Sequence, residues 1–267
     1  CVELGGSISG EHGIGLDKRE AMGWLFSAET LALFRRIKRA LDPDDLANPD
    51  KMFPVEGAAG GLPYLKRPSR PLGAQARHLV EKVKDCASSG RKMAVRGSGF
   101  RLRREPGPEE TLLLTTGMNA VVDLDGPNCT VTAEAGISMM ELHQELRAQG
   151  LYLRLPNGGG TLGGLLAAGR TMTLRNDLLG MRLLLADGSV AELGGKVVKN
   201  VAGYDVPRLL LGSWGTFGVI LEATFKVYST PAPPELLDPK PFGAGPWQRR
   251  LKAAFDSGNL LNSWFFA

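Results

Sequence analysis

Histidine and cysteine are scarce, with three of each in 267 residues. Cys1, Cys86 and Cys129 are far apart and form no CxxC pair, which argues against a zinc or iron–sulfur site built within the chain. An odd cysteine count without a secretory signal fits a reducing compartment. No apolar run approaches the roughly 20 residues of a membrane span, and the N-terminus lacks a basic-then-apolar targeting pattern. The expected location is the cytoplasm, with any attachment to the inner membrane being peripheral and through partners. A start at Cys1 rather than Met points to a fragment or a processed product. A strong charge excess is also missing: 32 basic and 28 acidic residues give +4. That excludes a nucleic-acid partner as the leading reading and suits an anionic cofactor or substrate.

Glycine is abundant. Its 35 copies are about twice the usual share, so many tight turns or close backbone approaches are required. Apolar residues make up 43% and charged residues 22%, ordinary values for a globular protein with a real core. Residues 1–54 open on a glycine-rich stretch and lead to a helix over 29–41, with Ser27 as N-cap and Leu31, Phe34, Ile37 and Leu41 on one face. Residues 55–71 read as a linker.

A helix over 74–87 and a strand over 92–96 follow, with further strands at 111–114, 121–124, 129–135, 151–155, 178–186, 190–193 and 219–227. Ser138 and Glu141 form a capping-box pattern. Asp187-Gly188 is a hairpin turn signal. Helices and strands do not alternate regularly enough for a doubly wound sheet, so the fold class is α+β. The tail, 231–267, carries a short helix over 246–255.

Residues 36–48 read RIKRALDPDDLAN and residues 250–262 read RLKAAFDSGNLLN. Two similar amphipathic helices explain this echo. So do two copies of one tail motif, which would place parts of two related proteins in one chain.

Three glycine-rich turns adjoin strands: Arg96-Gly97-Ser98-Gly99-Phe100, the run 157–164 containing Gly159, Gly160, Thr161, Leu162, Gly163 and Gly164, and the run 212–218 containing Gly212, Ser213, Gly215, Thr216 and Gly218. Successive exposed N–H groups at such turns make an anion nest and let backbone approach a pyrophosphate. Gly158, Gly160 and Gly163 also fit G-x-G-x-x-G, but Asp187, the candidate acidic partner, sits in a hairpin turn. A NAD-binding Rossmann domain is therefore the weaker alternative.

The segments RGSGF, GGTLGGLLAAG and GKVVKNVAGYD, then GSWGTFGVI, fall in one order. Together they make residues 72–230 resemble the FAD-binding domain of the vanillyl-alcohol oxidase / p-cresol methylhydroxylase family. Within it, the nearest likeness is to the smaller flavin subunit of bacterial glycolate oxidase. The resemblance implies noncovalent FAD, since no histidine occupies the glycine loops. It implies phosphate contacts from the first two loops, and a pocket shaped further by Asn200, Gly203, Tyr204, Asp205, Gly215, Gly218 and Ile220. The pyrophosphate is expected mainly on backbone N–H groups rather than on arginine or lysine.

The motifs GGSISGEHGIG and ALDPDDLANPDKMF make the N-terminal block resemble the C-terminus of the larger glycolate oxidase flavin subunit and of D-lactate and D-2-hydroxyglutarate dehydrogenases. By that resemblance Glu11 would ligate a divalent metal and His12 would take the substrate hydroxyl proton. Within this chain His12 reads first as a turn residue. The other two histidines, His78 and His143, are widely separated from it, and the family's substrate-binding cap is missing between the FAD domain and the tail. A second deletion is expected at 170–176. Together these features imply an FAD-binding component of a 2-hydroxy-acid, glycolate-like oxidoreductase, with a small hydroxy-acid substrate and with flavin and Fe–S partner subunits. The alternative is a non-catalytic flavin-binding or assembly subunit.

Overall fold

The computed structural model describes residues 1–55, 67, 69–102, 104–169, 171–233 and 243–266. Most of the expected linker, Arg170 of the suspected deletion, and part of the tail lie outside the described residues.

Local chemistry sets the elements. After the short helix α1 (Met22–Leu25), Ser27 caps α2 (Ala28–Leu41) by accepting from the Thr30 N–H. The buried stripe Leu31, Phe34 and Ile37 then faces the core. Helix α3 (Ala74–Ser89) ends on Gly90 in the left-handed region. Strands β1 (Lys92–Arg96) and β2 (Glu110–Leu114) form a separate parallel pair. Next come β3 (Val121–Asp125), β4 (Thr130–Glu134) and α4 (Met139–Ala148), which opens on the full capping box of Ser138 and Glu141. His143 lies on the buried face of α4, where burial pulls its pKa below the ordinary histidine value.

The remaining elements are α5 (Leu162–Ala168), α6 (Met172–Asp177), β5 (Leu178–Leu184), β6 (Val190–Gly194), α7 (Val206–Leu209), β7 (Val219–Lys226) and α8 (Pro246–Phe255). Five strands make one antiparallel sheet in the order β3-β4-β7-β5-β6. Strands β5 and β7 sit inside it and are buried nearly throughout, whereas β6, at the edge, alternates buried and half-buried residues. The α+β class holds.

The expected strand at 151–155 does not form. Tyr152 makes an isolated bridge to Tyr228 and its neighbours lack a ladder partner, so the apolar run packs without pairing. Helices α5, α6 and α7 were not expected. They are short and glycine-, polar- or proline-bearing, so their sequences carry weak helical periodicity.

The N-terminal block shares a core with the sheet. Met22, Leu33, Phe34 and Ile37 are buried together with Leu178, Leu193, Phe225 and Phe255. Helix α2 packs on α8 and on β6. The echoing helices therefore touch, and both end on aspartate: Asp42 caps α2 and Asp256 caps α8.

Lys38 pairs with Asp42, and with the Ala47 and Leu46 N–H groups it holds that carboxyl down to about 2. The folded value lies below the ordinary 3.8, so the stabilisation is full above that pH and is lost as pH falls toward 2. A carbon-13 NMR titration of Asp42 should show a midpoint near 2, and Lys38→Met should return it toward the ordinary aspartate value.

Candidate functional site: a glycine-lined cleft

The three glycine loops meet in one cleft. The first leaves the end of β1, the second runs into α5, and the third runs into β7. Arg96, Gly97, Ser98, Gly99, Phe100, Gly160, Thr161, Gly163, Gly164, Gly215, Gly218 and Ile220 all line it. Val95, Arg101, Leu102, Thr115, Ala135, Ala167, Ala168 and Trp214 complete the lining. Among the described residues, the N–H groups of Gly97, Ser98, Gly99, Gly159 and Gly160 donate to no other protein group. Consecutive free donors of this kind form a cradle for an anion.

Gly160 has φ +99°, a region nearly closed to side chains, and a Cβ there would run into the Arg101 guanidinium and the Phe100 side chain. Gly163 has a different role. Its N–H donates to Ala135 O at 2.7 Å, and a Cβ would lie 2.9 Å from Ala135 Cβ. That glycine brings α5 against the end of β4. Leu162 is fully buried beneath the loop, and Thr161 caps α5 by accepting from the Gly164 N–H at 3.2 Å.

Arg101 is the feature that sequence reading missed. Its Nη1 is buried without a hydrogen-bond partner, beside Gly160 and Gly164. Burial lowers its pKa from the ordinary arginine value, though a guanidinium keeps its charge in proteins. A buried guanidinium nitrogen with no partner is costly unless an acceptor completes it. A cation one residue beyond the first loop thus joins a cradle otherwise lined by backbone N–H groups. The signal in the sequence was a basic residue directly following RGSGF. Phe100, 58% exposed, stands at the mouth and carries the Arg101 guanidinium 5.4 Å from its ring centre.

Four residues expected in this pocket lie elsewhere. Gly203, Tyr204 and Asp205 line a second hollow, formed with residues 13–15 and 35–55 of the N-terminal block. Tyr204 packs edge-on against Phe34 and Phe53, and burial raises its pKa. Asn200 Oδ1 accepts from Ser7 Oγ and from the Ala202 N–H, each at 3.1 Å. These residues face the N-terminal block because that block covers the 200–205 turn, a contact that no local pattern in the sequence encodes.

Gly212, Ser213 and Thr216 support the third loop from behind. Gly212 N–H donates to Leu166 O, and Thr216 Oγ1 donates to Ser213 O at 2.7 Å. Trp214 holds φ +53°, rare for a side chain of that size, while its N–H bonds to Ala167 O and its carbonyl accepts from Asn262 Nδ2.

Glu11 and His12 are both exposed, and Glu11 lies 3.9 Å from Lys199 Nζ. Among the described residues, no group of three or more His, Cys, Asp or Glu side chains is placed to hold one metal ion. The three cysteines are free, and among the described residues no helix is long and apolar enough to cross a membrane.

The cleft fits the phosphate-bearing part of a dinucleotide: free N–H donors, a positive-φ glycine and a buried, unpartnered guanidinium nitrogen converge on one place. Comparison with known proteins defines the class. Residues 73–194 match the FAD binding domain model, and residues 1–52 match the model for the C-terminal domain of FAD linked oxidases. The chain thus joins a segment that matches an FAD binding domain to one that matches the C-terminal domain of FAD linked oxidases, and its cofactor is FAD.

Among particular relatives, the chain is 31% identical over 182 residues to glycolate oxidase subunit GlcD of Bacillus subtilis, covering 63% of this chain and 38% of that protein. It is 30% identical over 165 residues to glycolate oxidase subunit GlcE of Escherichia coli, covering 57% of this chain and 47% of that protein. An alkyldihydroxyacetonephosphate synthase structure aligns with 57% of this chain and 30% of its own, at 24% identity and a TM-score of 0.49. The chain spans less than half the length of these curated relatives.

Proposed function

We propose that this chain is the FAD-holding component of a 2-hydroxy-acid oxidoreductase acting on a glycolate- or D-lactate-like substrate. The observation that carries the reading is the convergence of three glycine loops and Arg101 on one cleft, the first two loops and Arg101 lying within the segment that matches an FAD binding domain. The hydroxy-acid class rests on relatives named glycolate oxidase subunits and D-lactate dehydrogenase.

Bound FAD supplies a two-electron acceptor for hydride from the substrate's C2. The chain's own residues bind and orient it. Free N–H groups of 97–99 and 159–160 and the Arg101 guanidinium hold the pyrophosphate, and Phe100 offers an aromatic face at the mouth. By resemblance Glu11 would be a metal ligand and His12 a base, but in this chain both stand at the surface and no further metal-ligating side chains gather there among the described residues. A substrate would reach them only in a site that another domain completes. Flavin and Fe–S partner subunits are part of this proposal.

Anaerobic titration of the flavin-loaded protein with glycolate and with D-lactate tests the reading. Bleaching of the flavin absorbance by either acid, in the chain alone, supports direct catalysis. A flavin that binds and stays oxidised favours the second reading, a flavin-holding or assembly subunit, which the outward placement of His12 also favours. Arg101→Gln should weaken FAD about tenfold to a hundredfold in a fluorescence-quenching titration, the loss expected for one charge-assisted hydrogen bond. Unchanged affinity would remove Arg101 from the site.

A further inference from the structure

The two echoing segments are built alike atom by atom, and only the second has a visible mate. In the second, Lys252 Nζ donates to Asp256 Oδ2 and to Leu261 O. Asp256 in turn accepts from the Leu260 and Leu261 N–H groups, and Asn259 and Asn262 hold φ +47° and +41°. In the first, Lys38 Nζ pairs with Asp42 and donates to Ala47 O at 2.9 Å. Asp42 accepts from the Leu46 and Ala47 N–H groups, and Asp45 and Asn48 hold φ +50° and +52°. Left-handed backbone at two non-glycine positions is uncommon, and here it recurs in register. The cap residues agree too: Asp42 has φ −139° and ψ 74°, Asp256 φ −149° and ψ 79°.

What the second segment does is visible. Residues 260–262 clasp the open edge of β1. Met93 N–H donates to Leu260 O at 2.7 Å, and Asn262 N–H returns a bond to Met93 O at 2.8 Å. The Asn262 side chain accepts from the Val95 N–H at 2.8 Å and donates to Trp214 O at 2.7 Å. One asparagine therefore ties the tail to the first strand and to the third glycine loop.

The first segment presents the same shape outward. Leu46 is 80% exposed, and Ala47 and Asn48 are exposed. Among the described residues, the Asn48 side chain meets only Lys51 Nζ, at 3.5 Å.

We propose that residues 46–48 are a docking clasp for a second FAD-binding domain, that of a partner flavin subunit. That domain would present the edge of its first strand to this segment as Met93 and Val95 present theirs to residues 260–262. Three observations select this occupant. The clasp has the same construction as one seated on an FAD-binding domain. The matched FAD binding domain of this chain, 73–194, is already clasped by the other tail. The block carrying the free clasp matches the C-terminal domain of FAD linked oxidases. A second copy of this chain does not fit, because its β1 edge is taken. The inference rests on the FAD-domain assignment and not on any catalytic activity of the chain.

The test is binding in solution. Two acceptors are prepared: Bacillus subtilis GlcD with its C-terminal tail removed, and this chain carrying Leu261→Asp and Asn262→Asp, which opens its own edge. Thermal melts establish that each acceptor is folded. The wild-type chain should bind at least one of them in a sedimentation or calorimetric titration. Asn48→Asp, which puts an acceptor where Asn262 has a donor, should weaken that binding at least about tenfold. Intact GlcD should not bind. Failure of the wild-type chain to bind either folded acceptor overturns the proposal, as does equal binding by the Asn48→Asp chain. Neither result touches the FAD cleft, which a flavin titration of the same samples reads separately.

Discussion

Gly160→Val should abolish FAD retention while leaving the protein folded. At φ +99° a β-branched residue is strained by about 1–3 kcal/mol, and its side chain would displace Arg101 and Phe100 from the cradle wall. The strain lowers fold stability with or without flavin, whereas the blocked approach and the displaced guanidinium act on the bound state, so a rise in Kd of at least about a hundredfold is expected, equivalent to roughly 2.7 kcal/mol. Gly158→Ala is the matched control. A Cβ at that position meets nothing within 4 Å, so the flavin should stay. His12→Ala should also leave flavin bound, because His12 is exposed and does not line the cleft.

Gly163→Val should lose flavin as well, but through the fold, since that position sets the approach of α5 to Ala135. The visible absorbance of purified protein, read beside far-UV circular dichroism, separates the two cases. A folded Gly160→Val protein at full FAD occupancy would remove the cleft from consideration.

Lys252→Met should cost about 3–5 kcal/mol of stability, the usual result of removing one member of a buried ion pair. Lys252 is 5% and Asp256 2% exposed. Besides Asp256, the ammonium satisfies Thr216 O and Leu261 O, each at 2.7 Å. Methionine fills the stem but takes the ammonium from the Thr216 and Leu261 carbonyls and leaves the buried Asp256 carboxylate with its backbone donors alone. Burial already pulls the Lys252 pKa below the ordinary lysine value, opposed by its pairing with Asp256.

For a domain of this size the midpoint of thermal unfolding should fall by about 10 °C. Flavin affinity should fall with it, because Thr216 belongs to the loop that forms the third wall of the cleft and Phe217 stacks on Phe255 at 5.0 Å. A melt within a degree or two of wild type would show that the pair contributes no net stability. The parallel change Lys38→Met should cost less, since Lys38 and Asp42 are partly open to solvent.

The sequence by itself determined most of the elements and the glycine loops beside them. Strand β1 and helix α8 fall where alternation and proline-to-aspartate punctuation put them, and the capping box at Ser138 and Glu141 is a strictly local device. Glycine-rich loops adjoining strands are legible for the same reason: backbone freedom is a property of the residue itself. The echo of residues 36–48 at 250–262 was legible as well, because hydrogen bonds spanning four or five residues are encoded by spacing alone.

Tertiary structure decided what those loops and helices meet. Asn200, Gly203, Tyr204 and Asp205 turned toward the N-terminal block because Phe34 and Phe53 cover them, contacts across more than 150 residues of chain. Arg101 entered the cradle because β1 and α5 bring the first two glycine loops together over its side chain. The first clasp points outward, and the second is buried, because only one β1 edge lies within reach. Long-range burial chooses among surfaces that look alike in sequence, and that choice separated the two copies of one motif.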